Sequence, residues 1–286
     1  PLTWDEACAT VDKAFGTAYP KLGQYFRKVL ADRWIEAQPR GGKRPGAFCT
    51  GTRHKLEERV YMTFHGTVHD MVTLAHEVGH AWHSCVLRPA RSYAANYPMT
   101  LAETASNFAE MILLGGLMKD PGITPATKAY LLDQEILRAH AYLLNIPMRY
   151  SFEKAFYTER AAGEVPVSRL RELMNEAQRD LYGDSLLPGG GDPMFWASKM
   201  HFFITGVSFY NFPYVFGYLL SQALFARFLA EGAAFLPRYE AFLAMTGSAT
   251  CEEVVKRTLG EDLTTEAFWA TALQAMAPSL AEYEKI

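Results

Sequence analysis

The 286-residue sequence predicts one mainly α-helical unit with a small β-sheet just before a long helix that begins near Val68. Two observations lead to this prediction. Apolar residues recur at three- and four-residue spacing through most of the chain, as on the buried faces of helices. Only two short runs, both between residues 47 and 64, have the composition of strands. With 49% hydrophobic and 21% charged residues, the chain is an ordinary globular sequence, which excludes a mainly disordered protein.

The N-terminal part should contain two helices, a loop and two strands. The apolar spacing predicts helices over 4–18 and 22–37. Segment 39–46 contains two prolines and three glycines and is expected to be a loop. Strands are expected over 47–50 and 59–64, the second because Val, Tyr, Thr and Phe follow one another closely.

The central and C-terminal parts should be almost entirely helical. Gly66 ends the run of the second strand, and Thr67 or Asp70 is positioned to cap a helix over 68–86. A flexible loop is expected over 187–193. The same spacing predicts further helices over 100–118, 124–162 (kinked or split by Pro147), 167–182, 194–203, 208–231, 236–246, 250–259 and 264–283.

Charge and cysteine content restrict the function classes. The chain has 28 Lys and Arg against 31 Asp and Glu, so no basic excess favours nucleic acid as a partner. Its four cysteines form no C-x-x-C pair and suit a reducing compartment, which predicts a cytoplasmic location. Between Lys199 and Arg227 no charged residue occurs, but the polar side chains there favour a buried wall beside a polar cavity over a membrane span.

The pattern with the clearest chemistry is His76-Glu77-Val78-Gly79-His80, or H-E-x-x-H. Residues four apart on a helix lie one turn apart on the same side, so both imidazoles can bind one tetrahedral ion. Glu77 is rotated by about 100° from His76, which lets it reach a water on that ion. This arrangement is typical of a zinc hydrolase with two ligands and one base. The alternative is a helix with two solvated or hydrogen-bonded histidines, which the apolar flanking residues disfavour.

A catalytic zinc needs a third protein ligand, and Glu103 is the candidate. It lies 23 residues after His80, near the start of a second amphipathic helix that can return antiparallel to the first. From spacing alone, Glu103 can equally be an ordinary first-turn glutamate favoured by the helix dipole.

Four segments of the chain together resemble the thimet-oligopeptidase-like family, and within it the oligoendopeptidase F branch. They are 42–48 (GKRPGAF), 73–83 (TLAHEVGHAWH), 101–106 (LAETAS) and 260–269 (GEDLTTEAFW). The resemblance covers nearly all 286 residues. The chain begins with Pro1 rather than Met, and proteins of the branch are about twice as long.

The resemblance implies a zincin-like catalytic domain over residues 1–286, with the N-terminal helical half of a longer protein missing. It implies one zinc ion bound by His76, His80 and Glu103, with Glu77 as general base. It also implies a zinc endopeptidase for short peptides, whose partners are those peptides and the missing half. By analogy with related zinc peptidases, strand 59–64 is expected to offer an open edge to an extended peptide.

Four further side chains are candidate donors to the oxyanion formed during hydrolysis. From spacing alone, the tyrosines among them favour an aromatic core stripe on one helix face. The family places a His and several Tyr in this region, and Phe212 stands where a Tyr is common. The candidates implied by the resemblance are His201, Tyr210, Tyr214 and Tyr218.

Alternatives to the peptidase stay open at this point. The chain can be a catalytically impaired fragment that binds zinc and peptides without turnover, or a zinc hydrolase of another bond.

Polar residues near the motifs in sequence are candidates to orient the two histidines by hydrogen bonds. The nearest are Asp70, Ser106, Asn107 and Glu110.

Overall fold

A computed structural model describes residues 1–285 of the chain and confirms the mainly α-helical fold with one small sheet. The chain divides into two compact units. The first combines Pro1–Leu132 with the segment that starts at Gly217, and the second is Asp133–Phe216. That residues 1–286 act as one catalytic unit stays a prediction.

The first unit contains ten of the thirteen helices that residues 1–285 form, counting the long α9 here. Helices α1 to α5 are Trp4–Ala18, Pro20–Ala31, Val68–Val86, Met99–Ala102 and Thr104–Met118. Helix α6, Pro125–His140, crosses from the first unit into the second, and the second unit also contains α7, Ile146–Arg160, and α8, Val167–Tyr182. Helices α9 to α13 are Phe212–Glu231, Leu236–Met245, Cys251–Leu259, Glu266–Gln274 and Ala277–Tyr283.

The second helix is six residues shorter at its C-terminal end than the predicted 22–37, because the backbone turns at Arg33. Arg33 has a left-handed φ of 55°, a conformation that no helix interior accepts. The chain then enters β1, Ile35–Glu36, a strand that the sequence pattern did not predict. Two residues are too few to show an alternating pattern.

The sheet contains β1, β2 (Phe48–Thr52) and β3 (Glu57–Tyr61) in the order β1-β3-β2. Strand β3 pairs in parallel with β1 and antiparallel with β2. The expectation that strand 59–64 offers an open edge is therefore wrong, since β3 has a neighbour on each side. Strand β2 is an edge strand of this sheet and faces the same helix, α3, as its neighbour β3.

Lys43 fastens the loop after β1 to the sheet. Its side chain is only 2% exposed. The Nζ atom donates hydrogen bonds to the carbonyl oxygens of Glu36 and Gln38, both at 3.1 Å. A third bond goes to the carbonyl of Met62, so all three donors of the buried ammonium are satisfied.

The core of the first unit is centred on the crossing of α3 and α5. Gly79 lies at this crossing, and a Cβ built on it would be 2.6 Å from the carbonyl oxygen of Ala105. The C-terminal segment covers the same core. His83 Nε2 lies 2.8 Å from Thr246 Oγ1, and the Phe108 ring stacks on Tyr239 at 4.1 Å between centroids.

Several predicted helices are interrupted. The helix predicted over 100–118 breaks at Glu103, whose ψ of 0° separates α4 from α5. The helix predicted over 124–162 contains a π-helical turn at Ala141–Asn145, directly before Pro147, where the pattern predicted a kink. Residues 194–203 form two short 3₁₀ turns, Phe195–Ser198 and Met200–Phe202, and 264–283 forms two helices.

The second unit has its own small core between α7 and α8. The residues buried in it are Met148, Phe152, Leu173, Met174 and Ala177. The aromatic rings of Phe195, Trp196 and Phe202 pack against this cluster from the two 3₁₀ turns. The turns that carry His201 are thereby held against a helical scaffold.

One segment of residues 1–285, Phe212–Met245, is long and apolar enough to cross a membrane by length and composition. A single such segment is weak evidence, because the core helices of globular proteins pass the same test. Here the polar residues Ser221 and Gln222 are buried inside the first unit. The absence of a membrane partner stays a prediction.

Candidate metal centre

Helix α3 begins where a capping box fixes its first turn. The Thr67 hydroxyl accepts a hydrogen bond from the Asp70 amide at 3.0 Å, and the Asp70 carboxylate accepts from Thr67 N at 3.0 Å. Asp70 also accepts from His65 N at 2.9 Å. Burial alone would raise the pKa of Asp70, but these hydrogen bonds lower it. Asp70 thus caps the helix. From the sequence it was a candidate to orient His76 or His80, but its carboxylate bonds to backbone amides at the helix start instead.

The structure brings His76, His80 and Glu103 together in the first unit. Their potential ligand atoms all lie within 4.8 Å of one another. The Nε2 atoms of His76 and His80 are 3.2 Å apart. Glu103 Oε2 lies 3.3 Å from His76 Nε2 and 3.6 Å from His80 Nε2. Two imidazole nitrogens and one carboxylate oxygen at these separations form a donor set suited to a divalent metal ion.

Each of the three side chains is oriented by a further hydrogen bond. Glu110 Oε1 lies 2.5 Å from His76 Nδ1, which directs Nε2 toward the other two residues. His80 is hydrogen-bonded to the backbone of Ala102. Ser106 Oγ donates to Glu103 Oε2 at 3.0 Å. Of the four polar candidates from the sequence, Glu110 and Ser106 therefore contact the cluster.

The electrostatics of the cluster favour a neutral His80 beside a charged Glu103 carboxylate. Burial, with the neighbouring His76, lowers the pKa of His80 to about 4. Burial would raise the pKa of Glu103, but its hydrogen bond with His76 and the charges of both histidines lower it to about 2. Unprotonated imidazole and ionised carboxylate are the forms that bind metal.

Glu77 is buried beside the cluster without a hydrogen bond to its Oε2 atom. Burial raises the pKa of Glu77 to about 7; the charge of Glu103 acts in the same direction and that of His76 against it. A buried carboxylate with a free oxygen can accept a proton from a bound water.

Two glycines let backbones approach the cluster. Gly79 brings α3 against the backbone of Ala105 and Ser106, the residues that follow Glu103. Gly217 on α9 brings that helix against Glu103 itself, since a Cβ there would lie 3.1 Å from Glu103 Cβ. A neighbouring backbone is therefore the structural reason for glycine at position 79. Nothing in the sequence pattern pointed to Gly217.

The proposed oxyanion donors fall in two places. In the second unit, the His201 ring lies 5.7 Å from both Tyr210 and Tyr214, centroid to centroid, and these two tyrosine rings are also 5.7 Å apart. Tyr210 precedes the start of α9 at Phe212, so it does not share a helix face with Tyr214 and Tyr218 as its spacing suggested. Tyr218 lies in the first unit and is 2% exposed.

A residue that sequence reasoning missed holds the segment with Tyr210 in place. Glu153 of α7 is 3% exposed and accepts hydrogen bonds from Phe209 N at 2.8 Å and Asn211 Nδ2 at 3.1 Å. Phe209 has a left-handed φ of 58°, which costs a non-glycine residue conformational energy. The buried carboxylate stabilises this turn. The only sign of this role in the sequence was the position of Glu153 on an apolar helix face. Because it lies more than fifty residues before Phe209, no spacing rule connects the two.

The chain as a whole is similar to several known proteins. The sequence profile of peptidase family M3 matches residues 21–273. Oligopeptidase PepF of Bacillus subtilis (strain 168) is 26% identical over 287 residues, 100% of this chain and 42% of the relative. The plasmid-borne oligoendopeptidase F of Lactococcus lactis subsp. cremoris is 29% identical over 271 residues, 92% of this chain and 44% of the relative. The chain thus spans less than half the length of these relatives.

A solved structure also resembles this chain. A peptidase of Chlamydophila abortus superposes with a TM-score of 0.83 at 22% identity, covering 99% of this chain and 47% of that one. At this identity the similarity establishes the fold alone. It confirms the predicted mainly α-helical architecture.

Proposed function

The chain belongs to peptidase family M3, and on that premise we propose that it is a zinc-dependent endopeptidase that hydrolyses peptide bonds in short oligopeptides. The observation that carries the proposal is the cluster of His76, His80 and Glu103. Ligand atoms of a tetrahedral zinc ion with bonds of about 2.0–2.1 Å lie about 3.3–3.4 Å apart. The separations of 3.2, 3.3 and 3.6 Å support this assignment without any movement of the helices.

A zinc ion held by these three side chains would supply a Lewis acid that polarises a peptide carbonyl and lowers the pKa of a water. Glu77 accepts the proton of the attacking water through its free oxygen and returns it to the leaving amine. Glu110 keeps His76 in the tautomer that leaves Nε2 unprotonated. By the sequence resemblance, His201 and Tyr210, with Tyr214 and Tyr218 as further candidates, donate hydrogen bonds to the oxyanion.

Strand β2 is the proposed alignment edge for the peptide. It is an edge strand of the sheet, and the charge of Glu77, after burial, contributes to the raised pKa of Cys49 on this strand. The Glu77 carboxylate is therefore close enough to β2 to raise the pKa of a thiol on that strand. An extended peptide that adds to this edge would lie beside the proposed base. We propose a cytoplasmic location, in line with the four free cysteines.

Metal content and peptide turnover measured together test the proposed function. We expect one zinc per chain, and hydrolysis of a quenched peptide of about ten residues that a chelator abolishes and added zinc restores. His80→Ala should lose both metal and turnover. His69→Ala, at an exposed histidine of the same helix, should lose neither and serves as the matched control.

Two results would decide between the alternatives. Zinc at one per chain with peptide binding but no hydrolysis would identify the impaired fragment and contradict the proposed enzyme. Hydrolysis of esters but not of peptides would identify a zinc hydrolase of another bond.

Glu110→Gln should weaken zinc affinity about 10- to 100-fold, because the amide lacks the charge that holds His76 in place. Competition with a chromogenic chelator measures this affinity directly. Glu252→Gln, at an exposed glutamate of the first unit, is the control and should bind zinc as the parent does. Equal affinity in Glu110→Gln would contradict the orienting role.

A further inference from the structure

Arg149 of α7 is a half-buried cation without a counterion. Its Nε atom is buried and has no hydrogen-bond partner, and no carboxylate of residues 1–285 forms an ion pair with it. A buried polar group without a partner is costly, and a guanidinium more so than most, unless a ligand supplies the missing acceptor.

A second cation approaches the same place. Lys199 Nζ lies 4.5 Å from the centroid of the Phe195 ring, and Arg149 Cζ lies 5.4 Å from that centroid. Within the part of the chain that the structure describes, Lys199 also forms no ion pair. Both cations thus lie within 5.4 Å of one ring centroid, and neither has an acidic partner among the described residues. Two cations without an acidic partner at one aromatic ring favour an anion beside them.

His201 and Tyr214 add neutral donors beside the two cations. Burial lowers the pKa of His201, and the charges of Arg149 and Lys199 lower it further, so both cations act on this imidazole. His201 Nδ1 is buried without a partner, and Nε2 is 3.5 Å from the Tyr214 hydroxyl. All these residues belong to the second unit.

We propose that Arg149 and Lys199, with Phe195 as their common support, form a carboxylate-binding subsite for the peptide substrate. The proposal rests on the proposed peptidase function and names a specificity determinant for it. A guanidinium is suited to this ligand, because its planar pair of N–H donors matches the two oxygens of a carboxylate. The carboxylate is either the C-terminus of the peptide or an Asp or Glu side chain within it.

Paired peptides test the subsite. A peptide of about ten residues is compared as the free acid and the C-terminal amide, and a second pair differs by Glu against Gln inside the sequence. In the parent, kcat/KM should favour the carboxylate member of one pair by about 10- to 100-fold. In Arg149→Met this ratio should fall close to one. Arg179→Met, at an exposed arginine of α8, should keep the parent's ratio.

The pair that shows the preference identifies the source of the carboxylate. A parent that distinguishes neither pair overturns the proposal. So does an Arg149→Met enzyme whose kcat/KM falls equally for both members, because Arg149 then only orders His201. If Arg149→Met melts well below the parent, Arg149→Lys, which keeps a positive charge, should retain part of the ratio, and Lys199→Met should lower it.

Measuring peptide binding without turnover tests the subsite independently of the proposed catalytic function. In a Glu77→Gln background, fluorescence anisotropy gives the Kd of each labelled peptide without turnover. The preference for the carboxylate peptide and its loss in Arg149→Met should appear there as well. If no variant hydrolyses any peptide, the proposed function fails, while the ratio of Kd values still supports or overturns the subsite.

Discussion

Glu77→Gln is expected to lower kcat/KM for short peptides by at least about a thousandfold while zinc remains at one per chain. The amide matches the carboxylate in shape but cannot accept the proton of the attacking water. Glu77 is not among the three residues whose ligand atoms cluster, so metal binding should persist. Metal analysis and turnover of a quenched peptide, measured on the same preparation, check both expectations.

The matched control for this change is Glu266→Gln, an exposed glutamate of the first unit. It should retain the parent's activity and zinc content. A Glu77→Gln protein with activity within tenfold of the parent would exclude Glu77 as the base. A protein that lost its zinc would show instead that Glu77 acts in metal binding.

Gly79→Ala is expected to destabilise the fold by about 3 kcal/mol and to weaken zinc affinity at least tenfold. The new Cβ would lie 2.6 Å from Ala105 O and 2.7 Å from Ser106 Cα. These are backbone atoms, so no rotamer change relieves the contact and the two helices must separate. Because α3 carries both histidines and Glu103 directly precedes α5, separation pulls the ligand set apart. Denaturant unfolding and chelator competition measure the two effects.

Gly115→Ala provides the comparison at a second glycine inside a helix. A Cβ there would meet only the tip of the Phe225 ring at 3.8 Å, an ordinary contact. Because alanine favours helix over glycine by about 1 kcal/mol, this variant should be as stable as the parent or more so. If both variants lost similar amounts of unfolding free energy and zinc affinity, the close contact of Gly79 with the backbone of α5 would not be the cause.

The elements that could be predicted are those with local signals. Helix α3 begins and ends where the pattern predicted, because Thr67 and Asp70 reciprocally cap its first turn. The position of both histidines on one face follows from the same helix. The family resemblance is confirmed by the profile match over residues 21–273, a range that includes all four motif segments.

The features that could not be predicted depend on distant parts of the chain or on single dihedral angles. Arg33 ends α2 through a left-handed φ that no composition rule demands of an arginine. Glu103 breaks its helix because its backbone has a ψ of 0°, whereas the periodicity continues across it. Glu153 and Phe209 meet across more than fifty residues of sequence, a separation at which no spacing rule applies.

The division of the first unit in sequence determines when its core can form. Residues 133–216 separate α3 and α5 from the segment that covers them, in which Thr246 contacts His83 and Tyr239 contacts Phe108. During synthesis from the N-terminus, the helix with both histidines leaves the ribosome well before these partners exist. Until they emerge, its apolar face is exposed to water or to a chaperone, so the proposed metal-binding region is among the last parts of the chain to become fully folded.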